Sequence, residues 1–297
     1  MTTENLFAGG YLDRRAEARL KADWFEEARA DGQALYVVMR GSAVLMRGTD
    51  RQPALALLSA TDARVRALAD PDHVLLLGWF RERRCLLLEL PEDLPPSISQ
   101  EESFAELRPL AGQLPPQEAG LLAYARALSI WRANHRFCSR CGHALRSERA
   151  GHARVCAACG YHSFPRIDPA IIVLVHHDGQ VLLGRQASWA ANRYSTIAGF
   201  VEPGESLEDA VRREVAEETG IAVDTIRYQS SQPWPFPASL MLGFRAHGTW
   251  ATPQLHDAEL EDARWLTREQ IRAGAVQLPP PESISRRLID AWLDEES

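Results

Sequence analysis

At 297 residues the chain is long enough for two domains, and 45% hydrophobic with 25% charged residues is the balance of a globular chain, not of a disordered or fibrous one. The formal charge of −7 gives no global attraction to nucleic acid or to an anionic membrane, so a polyanionic substrate would need a local cationic site or a bound metal. No apolar run reaches the roughly 20 residues of a membrane span and Met1-Thr-Thr-Glu-Asn5 lacks the features of a secretory signal, so the expected setting is cytoplasmic with no membrane partner.

Residues 1–133 are expected to form a mixed α/β domain with a bridging helix. The charged, moderately periodic stretch 14–30 predicts a helix. Residues 35–39 and 43–46 read as paired strands around Gly41-Ser42, and residues 74–79 and 85–90 as a second hairpin around Arg81-Glu-Arg-Arg84. Cys85, alone in an apolar run, is expected to be a buried small hydrophobe. Pro91-Glu-Asp-Leu-Pro-Pro96 is a stiff polar connection. Pro115-Pro116 then opens a helix to about residue 133, with an apolar stripe of Leu121, Leu122, Ala125, Leu128 and Trp131. Nothing in this stretch carries recognisable chemistry.

Residues 134–165 hold Cys138-x-x-Cys141, fourteen residues, then Cys156-x-x-Cys159. Two such pairs supply four thiolates from two short knuckles and predict a tetrahedral structural Zn2+ site, one per chain, in a segment too short to bury its own core. His135, His143, His152 and His162 lie nearby; with the ligand set already complete they are expected at the surface or behind the ligands. Arg132, Arg136, Arg140, Arg146, Arg149 and Arg154 make the ribbon locally basic, which leaves room for RNA contact without requiring it.

Residues 166–297 read as an α/β/α sandwich. The apolar run 170–175 suits a central strand, Asp178-Gly179 a turn into the strand 180–184, residues 240–246 a later strand, and the C-terminus a helix. His176 and His177 have no partner pattern and are read as strand-end residues. Between these elements lies the most informative stretch, residues 199–221. Ser206 can cap a helix with Asp209 three residues on, and Gly220 can end it. Glu214, Glu217 and Glu218 would then project from neighbouring positions on one helix face. Like charges so placed repel by ~0.3 kcal/mol per pair, at the end of the helix dipole that disfavours anions, and a hard divalent cation would reverse both penalties. A solvated acidic patch paired with Arg212 and Arg213 is the competing reading of these residues alone.

The full spacing decides between them. Gly199, five residues, Glu205, seven residues, Arg213-Glu214, Val215, one residue, Glu217-Glu218, one residue, Gly220 and Ile221 resembles the Nudix box with no departure. The resemblance implies a Nudix hydrolase that uses Mg2+ or Mn2+ to cleave a nucleoside diphosphate linked to another moiety. Downstream, Ser231-Gln232-Pro233-Trp234-Pro235-Phe236-Pro237-Ala238-Ser239 has three alternating prolines, which predict an extended backbone fixing Trp234 and Phe236 as faces for a planar ring. A proline-rich surface loop is the alternative for this segment by itself. It resembles the S-Q-P-W-P-F-P-x-S signature of the NADH pyrophosphatase (NudC-type) subgroup, as does the order of N-terminal domain, zinc ribbon and Nudix domain.

That resemblance implies cleavage of NADH or NAD+ to nicotinamide mononucleotide and AMP, removal of the NAD cap from RNA, and a homodimer. By match to the family's positions, Glu214 and Glu218 would hold the catalytic metals, with Glu217 a third box carboxylate. Glu259, in the acidic stretch 256–261, would be a further ligand, with Glu261 its rival. Glu218 is the expected general base. Implied substrate contacts are Ala198, Phe200 and the run Gln232, Pro233, Trp234, Pro235, Phe236, Pro237, Ala238 and Ser239, with Ala238 where glutamine is common. Phe164 stands in the place of a tyrosine, and Ser285 would act through its backbone. A dehydrogenase is disfavoured because no G-x-G-x-x-G follows a strand. A Nudix hydrolase of ADP-ribose or another nucleoside diphosphate derivative, and a zinc-ribbon RNA-binding protein with a relic box, are the remaining alternatives.

Overall fold

A computed structural model describes residues 4–49, 52–91, 99–255 and 259–295. Its described residues fall into two compact units, one of residues 4–6, 167–234 and 239–295, the other of residues 7–166 and 235–238. Beyond Pro91 the stiff connection expected at 91–96 lies outside the described residues, as do residues 256–258 of the acidic stretch. Among the described residues no helix is long and apolar enough to cross a membrane.

The C-terminal unit is built on the strand Asp168–His177, which runs parallel to Ser239–Gly248. Its other edge is shared: the first half pairs antiparallel with Ile197–Phe200, the end with Gln180–Arg185. The full sheet order is Val223–Trp234, Ser239–Gly248, Asp168–His177, Gln180–Arg185, Asp262–Thr267. Alternation along the central strand makes the layers. Ile171, Val173 and Val175 join Ala210, Val211 and Val215 of the helix Leu207–Thr219, while Ile172 and Leu174 join Ile284, Leu288, Ile289 and Trp292 of the helix Ile284–Leu293. Each fully buried aliphatic side chain contributes about 1.5–3 kcal/mol, so period-two patterning commits this strand to a helix on each face. The α/β/α sandwich follows. Asp178 and Gly179, at φ 38° and 78°, make the expected tight turn.

The N-terminal unit repeats this plan. Val74–Phe80, Arg83–Leu90, Leu35–Arg40 and Ala43–Thr49 lie side by side, with Leu58–Ser59 added to Leu35–Arg40 and Glu102–Glu106 to Ala43–Thr49. The pair Leu35–Arg40 with Arg83–Leu90 is parallel, as Asp168–His177 is with Ser239–Gly248. For these six strands the order and sense match the C-terminal sheet, while Leu12–Asp13, beside Val74–Phe80, and Gln52–Leu55, beside Ala43–Thr49, have no counterpart there. Both hairpins expected here form, Cys85 is fully buried, and the helix Pro116–Asn134 carries its predicted apolar stripe inward.

Two expectations for this unit need correction. Residues 14–30 are not one helix: the strand Leu12–Asp13 is followed by a 3-10 turn, Ala16–Leu20, and a short helix, Trp24–Ala30. Asp13 draws the chain off helical course, accepting hydrogen bonds from Arg15 N at 3.3 Å and Arg15 Nε at 2.7 Å, and Arg15 takes φ 36°. Arg14 and Arg15 then stack on Tyr124 and Trp79 at 4.1 and 4.4 Å, contacts a continuous helix would forfeit.

The second is His152, expected at the surface or behind the cysteine ligands: it is buried against Tyr124 and Leu76. Its ring lies on Tyr124, and its Nε2 is 2.8 Å from the Leu76 carbonyl oxygen, the distance of an N–H···O bond. Burial pushes its pKa down from the ordinary 6.5 to about 4, with nearby arginines adding to the effect. Protons therefore bind the unfolded chain better. Stability from this site is full above pH 6.5 and falls by about 3 kcal/mol as the pH drops to 4. Urea midpoints measured across this range should show the loss, and His152→Gln should flatten it; an equal slope in the variant would assign the limb to other groups.

Candidate active site and zinc centre

The helix Leu207–Thr219 starts with a reciprocal cap in which Asp209 N donates to Ser206 Oγ at 3.1 Å and Ser206 N to Asp209 Oδ2 at 3.4 Å. It ends at Gly220, φ 69°. The strand Ile197–Phe200 passes so close to this helix that a Cβ on Gly199 would lie 1.9 Å from Cδ of Glu214. Only glycine leaves room for that carboxylate. Gly199→Ala should cost about 1–3 kcal/mol in urea unfolding through overpacking, and adding Glu214→Ala should return most of the loss. A single variant as stable as the parent would mean that the Glu214 carboxylate or the strand yields instead.

Arg213 ties the loop to the helix. Its Nε and Nη2 donate to the two oxygens of Glu205 at 2.6 and 2.9 Å, Nη2 also to Phe200 O at 2.9 Å, and Nη1 to Glu214 at 2.8 Å and Glu217 at 3.1 Å. The bidentate guanidinium, aided by the Glu202 amide, holds the Glu205 carboxyl down to about 2. Arg213 is thus a partner of the acidic face, as the competing reading of these residues expects; its grip on Glu205 and on the strand backbone is a matter of the fold.

The box glutamates occupy different environments. Glu214 and Glu218 are buried at 9% and 4% exposure, whereas Glu217 is solvated. Burial raises the Glu214 pKa, Arg213 opposes this, and the charges of Glu217 and Glu259 raise it further, which places Glu259 within electrostatic reach of Glu214. Among the described residues, no three of these carboxylates bring their oxygens within 4.8 Å of one another. Hard oxygen donors in carboxylate excess, partly desolvated, fit a divalent cation with oxygen preference.

The implied substrate contacts are spread over several elements. Ala198 and Phe200 lie on the strand Ile197–Phe200, with Phe200 59% exposed. Ser231 to Trp234 end one strand and Ser239 starts the next, with Trp234 opposite Ser239 and Gln232 opposite Met241. Pro233 is tolerated because its strand is at the sheet edge. Pro235 to Ala238 form the turn between them, so the expected straight extended run is corrected to a bent one. Phe236 packs 6.1 Å from Phe7 and under Arg126 and Arg108, at 4.8 and 5.6 Å, and Arg126 donates to Pro235 O.

The side chains of two of these residues are engaged within the fold. The fully buried Gln232 side chain donates to Glu282 O at 2.8 Å and Leu6 O at 3.2 Å and accepts from Ile284 N at 2.9 Å. Ser285 Oγ accepts from Thr196 N at 3.2 Å. Phe164, 48% exposed, stacks on His162 with Arg149 over its ring. Glu261, the rival to Glu259, pairs with Arg185.

The ribbon is a three-stranded sheet of Leu145–Glu148, Ala153–Cys156 and His162–Ser163 flanked by two matching knuckles. In each, a left-handed glycine follows the second cysteine: Gly142 N donates to Cys138 O and Gly160 N to Cys156 O, both at 2.9 Å. The four sulfurs lie within 4.8 Å of one another, with separations of 3.4 to 3.6 Å along three edges. These are far longer than a disulfide of about 2.05 Å and close to the ~3.8 Å edge of a tetrahedron with ~2.3 Å Zn–S bonds. The sulfurs fit structural zinc.

Comparison with known proteins agrees with this arrangement. Residues 165–292 match the NUDIX domain, 133–164 the NADH pyrophosphatase zinc ribbon domain, and 33–131 the NADH pyrophosphatase-like rudimentary NUDIX domain. The chain is 36% identical over 295 residues to the NAD-capped RNA hydrolase NudC of Mycobacterium bovis, covering 93% of each chain. It is 33% identical over 340 residues to the human NAD-capped RNA hydrolase NUDT12, covering 98% of this chain and 73% of the relative. With NudC of Stutzerimonas stutzeri it shares 42% identity over 221 residues, 73% of this chain and 76% of the relative. With its intact box, zinc ribbon and rudimentary second domain, the chain belongs to the Nudix hydrolase family, in the branch of the NADH pyrophosphatases.

Proposed function

We propose that this protein hydrolyses the pyrophosphate bond of NADH and NAD+, releasing nicotinamide mononucleotide and AMP, and acts likewise on the NAD cap of RNA. The observation that carries the reading is the box itself: Gly199 admits the Glu214 carboxylate, Arg213 fixes the loop, and Glu218 lies buried one helical turn on. Mg2+ or Mn2+, bound by Glu214, Glu217, Glu218 and Glu259, would neutralise the diphosphate. Glu218 takes the proton of the attacking water, whose oxygen forms the new bond to phosphorus as the bridging P–O bond breaks and one mononucleotide leaves. Ala198, Phe200, Phe164 and the Trp234 to Ser239 turn would contact the nicotinamide substrate, and a second copy of the chain would complete the pocket as a homodimer. Gln232, whose side chain is engaged internally, would act by shaping the backbone around it, and Ser285, whose hydroxyl is likewise engaged, would contact the substrate through its own backbone. Equal concentrations of NADH, ADP-ribose and NAD-capped RNA, incubated with the protein and Mg2+ or Mn2+, should give the higher kcat/KM on the nicotinamide substrates. Faster cleavage of ADP-ribose than of both would overturn the substrate assignment.

A further inference from the structure

The shared strand order lets positions in the two sheets be paired. Tyr36 lies four residues before the hairpin end at Arg40, as Val173 does before His177, and each faces its short neighbouring strand, Tyr36 opposite Leu58 and Val173 opposite Ile197. Two residues further along, Ala60 takes the place of Gly199. The helices that follow differ in length: Ala63–Leu68 has six residues, whereas the box helix has thirteen and carries Glu214, Glu217 and Glu218 beyond its sixth. The carboxylate half is absent from the N-terminal unit. With no Glu214 to admit, position 60 can bear a Cβ.

Beside the shortened helix is a cleft of about 440 Å³, whose lining includes Arg29, Tyr36, Ala60, Thr61, Val65 and Arg66. Arg29 and Arg66 are exposed and make no ion pair among the described residues. Asp31, whose charge reaches Tyr36, is itself paired with Arg84. Tyr36, only 1% exposed as a residue, lines this cleft; its hydroxyl makes no hydrogen bond among the described residues and is not one of the buried polar atoms without a partner, so it is left to water at the cleft. Two exposed guanidinium groups without a carboxylate partner among the described residues, one of them over the Phe25 ring, and a phenol hydroxyl at the cleft match the acceptors of a phosphate monoester. The volume is that of a small-molecule site, far larger than phosphate alone, and Val65 and Ala60 give an apolar wall for a planar base.

We propose that this cleft binds a nucleoside monophosphate, its phosphate on Arg29, Arg66 and the Tyr36 hydroxyl, as a second, non-catalytic nucleotide site whose charge is the reverse of the metal-binding face in the other unit. The proposal does not depend on which dinucleotide the box cleaves.

The test is calorimetric titration of the full-length protein with AMP in buffer free of Mg2+ and Mn2+. One AMP should bind per chain. Arg29→Ala/Arg66→Ala should weaken binding at least about 30-fold, Tyr36→Phe about fivefold, and Glu218→Gln not at all, while the double alanine variant keeps its parental NADH turnover. Adenosine and inorganic phosphate should each compete at least about tenfold less well than AMP. Absence of AMP binding, binding untouched by the double substitution, or competition by phosphate or adenosine equal to that of AMP would overturn the proposal.

Discussion

Glu218→Gln is expected to lower kcat for NADH by about 10³-fold or more while leaving the thermal midpoint within a few degrees of the parent. General-base catalysis alone is worth roughly 10²–10⁴, and the same side chain is a proposed metal ligand, so both contributions go together. The fold should not suffer. Glutamine has the same shape, and neutralising a buried carboxylate beside Glu214 removes repulsion from a site that carries more negative than positive charge. Glu217→Gln is the internal control: its carboxylate is solvated and a weaker contributor, so about a tenfold loss is expected. Steady-state kinetics with saturating Mg2+ and a melting curve on each variant decide the matter. Parental turnover in Glu218→Gln would remove its catalytic role; a melt lowered by tens of degrees would make the residue structural.

What the sequence conveys about this site is mostly what is local. The Ser206–Asp209 cap, the Gly220 stop, the Asp178-Gly179 turn and the two cysteine knuckles are each written within a few neighbouring residues, so spacing alone reveals them. The layer assignment was also legible, because a continuous apolar run in a strand has to be covered on both faces, and the two partners are an amphipathic helix before it returns and another at the end of the chain.

Contacts between distant segments stayed hidden. Nothing at positions 199 and 214 announces that one lacks a side chain to make room for the other; their separation of fifteen residues has no periodic meaning, and only the antiparallel pairing of Ile197–Phe200 with the central strand sets them face to face. The break at Asp13 and Arg15 arises because cation–π contacts with Trp79 and Tyr124 outweigh the few tenths of a kcal/mol per residue that favour a continuous helix. His152 looked like a ribbon histidine until Tyr124 and Leu76 were seen to enclose it. The repeat of one sheet plan in both units is not legible in the motifs or periodicity of this chain read alone, because strand pairing needs only apolar alternation, which many sequences satisfy, while the box that would mark the repeat is cut off after six helical residues.

Loss of zinc should have the largest effect on stability. Among the described residues, the core cluster confined to the ribbon is Cys138, Leu145 and Cys156 with Tyr161 packed against it, little apolar surface to set against the conformational entropy lost on ordering the segment. Metal binding, about 10–16 kcal/mol for comparable structural sites, is a major stabilising contribution to the ribbon. Cys156→Ser should therefore reduce zinc from one per chain to a small fraction and unfold residues 138–163 locally. The consequence reaches past the ribbon. Arg132, 2% exposed, donates to Ser147 Oγ at 2.9 Å and Glu89 Oε2 at 2.8 Å, and Ala150 packs with Leu76, so a melted ribbon strips a partner from a buried guanidinium and uncovers part of the N-terminal sheet. Hydrogen exchange separates this outcome from global unfolding: protection should vanish at residues 145–156 and weaken at 74–80, while the central strand at 171–175 keeps its slow amides. Uniform loss of protection would mean that the ribbon holds the whole chain together, and full protection with bound zinc would show that three thiolates suffice.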